Sequence, residues 1–208
     1  RLLDYARCRF EKIIEETRFH GDFNEYNSPA YTMVAIEEMD RALFLVEDKA
    51  VRLHAETLRI HGWGVVAGHY HAPTGTWAGP HSRCYGDLPS PEVRRLLGEL
   101  CGVQEGPTGT HPKMRLLDLE GKDFDLIPRL PCPAPLLSAF TSNHAAPSVR
   151  RDTFIRRMAQ NNGNPAAVPN PGDTVGTTAF TKSGNLASVN RGSFWTQCRP
   201  VIGYWRTG

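Results

Sequence analysis

The sequence predicts an α+β protein with helices first and antiparallel strands after them. Apolar residues recur at three- and four-residue steps through the first sixty positions. After Gly102, short β-branched and aromatic runs are broken by Gly, Asn and Pro. The strands are not interleaved with helices, which argues for α+β or two packed domains over an alternating α/β fold.

In chain order, a first helix is expected over residues 1 to 19. Leu3, Ala6, Phe10, Ile13 and Thr17 form its apolar face. The segment HGDFNEYNS at 20–28 reads as a turn. Ser28 is a good N-cap and Pro29 suits a first helical position, so a second helix should start there. Its face is Tyr31, Val34, Ala35, Met39, Ala42, Leu43 and Val46. Asp48 can cap a third helix with Val51, Ala55 and Leu58 inside, ending near Gly62. Short joints between the three predict antiparallel helical hairpins. From 62 to 90 the chain is dense in Gly, Pro, His and aromatics, and reads as one long irregular segment. A short helix from Pro91 to Cys101 follows.

Short apolar stretches lie at Met114–Leu119 and Phe124–Ile127, and four prolines between 127 and 135 suggest a linker or rim. Val149–Met158 is a candidate strand and Gln160–Asp173 a loop. Three more strands are expected at Thr174–Thr181, Asn185–Val189 and Phe194–Trp205, with Pro200 pushing part of the last toward an edge or bulge. This divides the chain into a helical segment, 1–102, and a strand-rich segment, 103–208.

The composition is that of an ordinary globular protein. Of 208 residues, 40% are hydrophobic and 22% charged, with a net charge of +2. So small a charge gives no case for nucleic-acid binding. Arg150, Arg151, Arg156 and Arg157 do cluster, and would either attract an acidic polymer or form a solvated face. No run of 18 apolar residues predicts a membrane span. The chain begins at Arg1 inside a helical pattern, as expected of a processed form or an internal piece. The five cysteines are widely spaced without a CxxC pair. That speaks against a cysteine-built zinc site, and the odd count leaves at least one free thiol.

Three constellations carry chemistry. In NEYNSPAY, Asn27 and Tyr31 flank a helix start whose partial positive charge favours an anion. Glu25 there is a candidate acid, base or hydroxyl acceptor; simple capping, with Tyr26 and Tyr31 in the core, is the plainer alternative. In GPHSRCYG, an extended backbone would place His81, Arg83 and Tyr85 on one face. Those groups suit β-elimination on a uronate: a cation neutralises the carboxylate, and a His or Tyr moves the proton. Arg83 paired with an acid and a structural His81 is the alternative. His69 and His71 share a face if extended, and His81 could complete a metal site, but no carboxylate follows at 72–79. No GxSxG, Walker or GxGxxG motif is present.

Together EYNSPAYT, GPHSRCYGD and SVNRGSFWTQCRPVIGYW resemble heparinase-like and alginate-lyase-like polysaccharide lyases. In those families an incomplete (α/α) toroid precedes an antiparallel β-sandwich. The resemblance implies that this chain holds the tail of such a toroid and a sandwich portion. It also implies a secreted or periplasmic protein acting on an acidic polysaccharide by β-elimination, with no cofactor and no metal. Asn27 and Arg83 would neutralise the uronate carboxylate, His81 would be the base, and Tyr85 or Tyr31 the acid. Glu25, Tyr26, His69, His71 and Trp77 would bind substrate, and Trp195, Gln197 and Arg199 would lie in the sandwich core or domain interface. Cys198 stands where another Arg is expected. Two other functions compete. One is a glycoside hydrolase using Glu25 and Asp22. The other is a non-catalytic carbohydrate binder stacking sugars on Trp63, Trp77 or Tyr70.

Overall fold

The computed structural model describes residues 1–103, 128–155, 173–191 and 197–207. The expectations at Met114–Leu119 and Phe124–Ile127, the loop at Gln160–Asp173 up to its last residue, and those for Arg156, Arg157 and Trp195 lie outside the described residues. The architecture is α+β, helices preceding strands: α1 Leu2–His20, α2 Tyr31–Leu45, α3 Lys49–His69, the small hairpin β1 Tyr70–His71 and β2 Thr76–Trp77, and α4 Pro91–Cys101. A 3-10 helix Ala134–Thr141 then leads to β3 Ser148–Ile155, β4 Thr174–Phe180, β5 Gly184–Val189 and β6 Val201–Trp205. Among the described residues, no helix is long and apolar enough to cross a membrane.

Helix α3 is the hub, with α1 and α2 both packed on it. Its start is as expected, with the Asp48 carboxylate accepting from the Val51 N–H. It does not stop at Gly62 but runs on to His69, so the first part of the expected irregular segment is helical. Gly62 serves close packing here: a Cβ would come within 2.8 Å of the Ile36 side chain. Helix α2 is regular from Tyr31, and Ser28 caps its entry as expected: its hydroxyl accepts from the Tyr31 N–H at 3.3 Å and its carbonyl from the Thr32 N–H at 2.9 Å, while the hydroxyl's own hydrogen goes across the fold to the Arg83 carbonyl. Its buried stripe is Thr32, Met33, Ile36, Glu37 and Asp40. Glu37 pairs with Arg129 at 2.8 Å and Asp40 with Arg59 at 2.6 Å. Two carboxylates in the inward stripe make the helix look as though another face were buried. Arg59 also donates to the Leu130 and Pro131 carbonyls, so the proline-rich stretch lies strapped across α3 and leads into the 3-10 helix.

Met33, Ile36, Trp63, Val66, Tyr70, Trp77, Leu96, Leu97 and Phe140 form the main core. Helix α4 covers the expected span; Ser90 caps it, Pro91 opens it and left-handed Gly102 ends it. The cysteines are free thiols, four of them buried and Cys8 exposed.

The second half holds one antiparallel sheet in the order β3-β4-β5-β6. Alternation sends Phe154, Gly176, Thr178, Phe180, Asn185 and Ala187 inward, while Val149, Leu186, Val201 and Trp205 face out, all exposed. A second sheet to complete a sandwich is not among the described residues. Strand β6 begins directly after Pro200, whose carbonyl accepts from the Val189 N–H. The sheet and the helices are joined by the stretch 78–87. Thr178 donates its hydroxyl to the Gly79 carbonyl at 2.8 Å. His81 and Arg199 exchange both backbone bonds, at 3.1 and 2.9 Å, and the Cys84 N–H donates to the Gln197 carbonyl at 2.7 Å.

Candidate functional site

The turn before α2 and the stretch 78–85 are zipped together by Asn27. Its amide N–H groups donate to the Ala78 and Pro80 carbonyls at 3.0 and 2.9 Å, and its Oδ1 accepts from the Trp77 indole at 2.7 Å. Its backbone sits at φ 43, a left-handed conformation that asparagine tolerates better than most residues. The backbone N–H of Asn27 donates to Asp22, which also accepts from Phe23 N–H. Ser28 donates its hydroxyl to the Arg83 carbonyl at 2.7 Å, and Ser82 donates to the Tyr26 carbonyl at 2.8 Å.

On this zipper stand four outward side chains. The Tyr31 and Tyr85 hydroxyls are 2.8 Å apart. The Arg83 guanidinium lies 5.1 Å from the Tyr31 ring centroid, within cation–π reach. Its Nη1 is 2.8 Å from Glu25 Oε1. Tyr31 is 37% exposed, and the side chains of Arg83 and Glu25 are 24% and 34% exposed. The proton affinity of Tyr85 is raised above the ordinary phenol value, first by its bond to Tyr31 and then by burial. Burial also raises that of Glu25, opposed by Arg83. Burial works against the charge of Arg83, but Tyr31 and Glu25 outweigh it and the cation is held above its usual range. The assembly is a hydrogen-bonded pair of phenols beside a cation and a carboxylate, at the protein surface.

Asn27 and His81 do not belong to that surface. The side chain of Asn27 is wholly buried, and its amide hydrogens and Oδ1 are committed to the fold, so it has nothing to offer a substrate carboxylate. His81 is 1% exposed and donates Nδ1–H to the Asn27 carbonyl at 2.6 Å. Burial lowers its pKa to about 4, and a neutral, enclosed imidazole cannot reach a sugar proton. Asn27, one half of the expected carboxylate clamp, and His81, the expected base, are therefore both structural, while Arg83, the other half, stays at the surface.

The residues expected to bind substrate divide the same way. Glu25 is in the cluster. Tyr26 is buried and stacked on Phe154 at 4.6 Å. His69 is buried, with Nδ1 donating to the Val65 carbonyl and Nε2 lying 3.5 Å from Asp152. Burial would raise the pKa of Asp152, but His69 and Arg150 outweigh it and hold it at about 2. His71 is bonded to the Thr74 hydroxyl and the Thr181 carbonyl at 2.7 and 2.8 Å. Trp77, Trp63 and Tyr70 are core, so none of them can stack on a sugar. Asp22, the hydrolase's second acid, is buried and committed to the turn. Arg199 pairs with Asp87 at 2.8 Å beside the sheet junction, an interface position as expected.

Sequence reasoning missed the exposed Trp205 as anything but a strand residue. Its signal was available: alternation along β6 puts Ile202 and Tyr204 on the face opposite to Val201 and Trp205.

Residues 2–90 match the family model of a domain of unknown function, DUF8769. That stretch is under half the chain and contains Glu25, Tyr31, Arg83 and Tyr85. No curated protein matches the sequence, and no solved structure matches it.

Proposed function

We propose that this chain carries an acid–base site that cleaves a uronate-containing polysaccharide by β-elimination, on helices that form the tail of an (α/α) toroid. The single observation that carries the reading is the pair of hydrogen-bonded phenols under a guanidinium at an exposed rim. Arg83 holds the sugar carboxylate and meets the charge that spreads into it as the proton next to it departs. Glu25 fixes the guanidinium in place. Tyr85 keeps its proton at neutral pH and delivers it to the departing glycosidic oxygen. Tyr31, entering the cycle as the phenolate beneath Arg83, accepts the proton from the sugar carbon. The hydrogen bond between the two then returns the proton from Tyr31 to Tyr85 and resets the pair. The carbon–hydrogen and carbon–oxygen bonds break, one carbon–carbon double bond forms, and no cofactor is consumed.

A panel of uronate polymers, followed by ultraviolet absorbance of the new conjugated double bond, tests this. The protein should generate absorbance on at least one polymer, and Tyr85→Phe should lower the rate by about 10²–10⁴-fold. Reducing ends without absorbance would instead indicate hydrolysis. Binding with neither would indicate a carbohydrate-binding role, which the exposed Trp205 favours as second reading.

A further inference from the structure

The proline-rich strap across α3 is pinned residue by residue. The Leu130 N–H donates to the Asp40 carboxylate at 3.2 Å, and the Leu130 and Pro131 carbonyls accept from Arg59 at 3.0 and 2.5 Å. The next N–H, that of Cys132, donates at 3.1 Å to the Leu100 carbonyl, in the last turn of α4. Cys101 follows Leu100 directly and is the last residue of that helix. With standard bond lengths, this one hydrogen bond holds the Cα atoms of Cys101 and Cys132 less than about 7 Å apart, the limit for a disulfide without backbone movement. Cys101 and Cys132 are 8% and 4% exposed, and both belong to the core cluster with Trp63, Leu97 and Phe140.

The two sulfurs are also turned to each other. Cys101 donates its thiol hydrogen to the Cys132 sulfur, and the Cys132 hydrogen faces the Pro133 carbonyl at 3.7 Å. Their shared bond raises the proton affinity of Cys101 and lowers that of Cys132, whose thiolate Arg59 also favours. The pair is therefore asymmetric: Cys132 is the sulfur that attacks, and Cys101 the one that follows. The other buried cysteines differ. The Cys84 N–H donates to the Gln197 carbonyl beside Cys198, but the Cys84 thiol turns away to the Gly86 carbonyl at 2.6 Å.

We infer that Cys101 and Cys132 form a disulfide under oxidising conditions, locking the proline strap to the end of α4. The bond rests on no part of the lyase reading. With hydrogen peroxide as oxidant, the Cys132 thiolate attacks one oxygen, the O–O bond breaks, and hydroxide leaves with a sulfenic acid on Cys132. The Cys101 sulfur then attacks the Cys132 sulfur; the S–O bond breaks and the S–S bond forms. Both thiol protons end in water, so two thiols and one peroxide give one disulfide and two waters. The crosslink closes the loop between residues 101 and 132 in the unfolded chain and so favours the folded state.

Peptide mapping and thermal melts test this on the folded chain. The protein is treated with stoichiometric peroxide, its remaining thiols are alkylated in urea, and it is digested with trypsin. Lys113 and Arg129 lie between the two cysteines, so their peptides stay together only if the sulfurs are bonded. The joined peptide should be the main disulfide product, absent after reduction. The oxidised protein should melt roughly 5–15 °C above the reduced one. Cys132→Ala and Cys101→Ala should each abolish the joined peptide and the gain in Tm, whereas Cys84→Ala should keep both. Separate peptides from the oxidised wild-type protein, or a predominant link to any other cysteine, overturn the inference. So does an oxidised form that melts at or below the reduced one, since the sulfurs would then have been dragged together.

Discussion

Asn27 shows how much one side chain can be asked to do. It supplies a left-handed backbone angle and three buried hydrogen bonds that join two stretches some fifty residues apart in sequence. Asn27→Ala strains the backbone and strands two carbonyls and an indole N–H; a buried group left unpaired costs about 1–3 kcal/mol. Asn27→Gly keeps the backbone angle and loses the bonds. If the bonds dominate, urea unfolding should show both variants destabilised to a similar degree, on the order of 3 kcal/mol. A glycine variant near wild-type stability would show that the angle matters more. His81 gives a pH dependence. Its folded pKa of about 4 lies below the ordinary value of 6.5, chiefly through burial, with His69 and Arg199 also disfavouring its charge. The unfolded chain thus takes up the proton first. Stability from neutral His81 is complete above pH 6.5 and is lost as pH falls toward 4. His71 and His144, also lowered by burial, act in the same sense. Asp152, held at about 2, adds its loss only below the ordinary carboxylate range. Urea midpoints should decline between pH 6.5 and 4, and less steeply in His81→Gln; equal slopes would show that folding leaves the proton affinity of His81 unchanged. At this scale the sequence singled out Glu25, Tyr31, Arg83 and Tyr85, which the fold brings together, because residue type and spacing suffice to suggest a polar cluster. It did not separate them from Asn27 and His81, whose identical appeal disappears only once burial and bonding partners are known.

Among the elements, those with local punctuation were readable: Asp48 before α3, the span of α4 from Pro91 to Cys101, and the strands β4 and β5. Those decided by distant contacts were not. Ser28 caps the entry to α2 as its position suggests, but its second role, donating to the Arg83 carbonyl, has no local signal. Asp40 and Glu37 look like surface residues until Arg59 and Arg129 are placed against them. Gly62 looks like a helix end until Ile36 is seen against it. Glycines within α3 make a prediction of opposite sign at neighbouring turns. Gly62→Ala drives a methyl into Ile36 and should destabilise by about 1–3 kcal/mol, less the gain in helix propensity. At Gly64 a Cβ meets nothing within 4 Å, so Gly64→Ala should stabilise by up to about 1 kcal/mol. Thermal or urea unfolding of the two variants checks this; a stabilised Gly62→Ala would mean that α2 and α3 are not in contact there.

Across the whole molecule, the helical layer and the sheet meet through the stretch 78–87, which pairs with the chain before β6 on one side and with the turn before α2 on the other. The order of helices before strands was legible because the change in periodicity near Gly102 is abrupt. The partnership between residues around 25 and around 83 was legible only as a suggestion of chemistry, since no local rule joins segments so far apart. The strap of prolines across α3 has no local signal; it exists only once the halves are packed. Glu25, Tyr31, Arg83 and Tyr85 lie at this junction.

The most direct measurement is the rate of appearance of unsaturated product, on the polymer that gives the strongest absorbance, for the wild-type protein, Tyr31→Phe, Tyr85→Phe and the double variant. If the phenols work as one relay, each single variant loses about 10²–10⁴-fold and the double variant loses little more. Absorbance from no polymer, or single variants that turn over at the wild-type rate, would contradict the account.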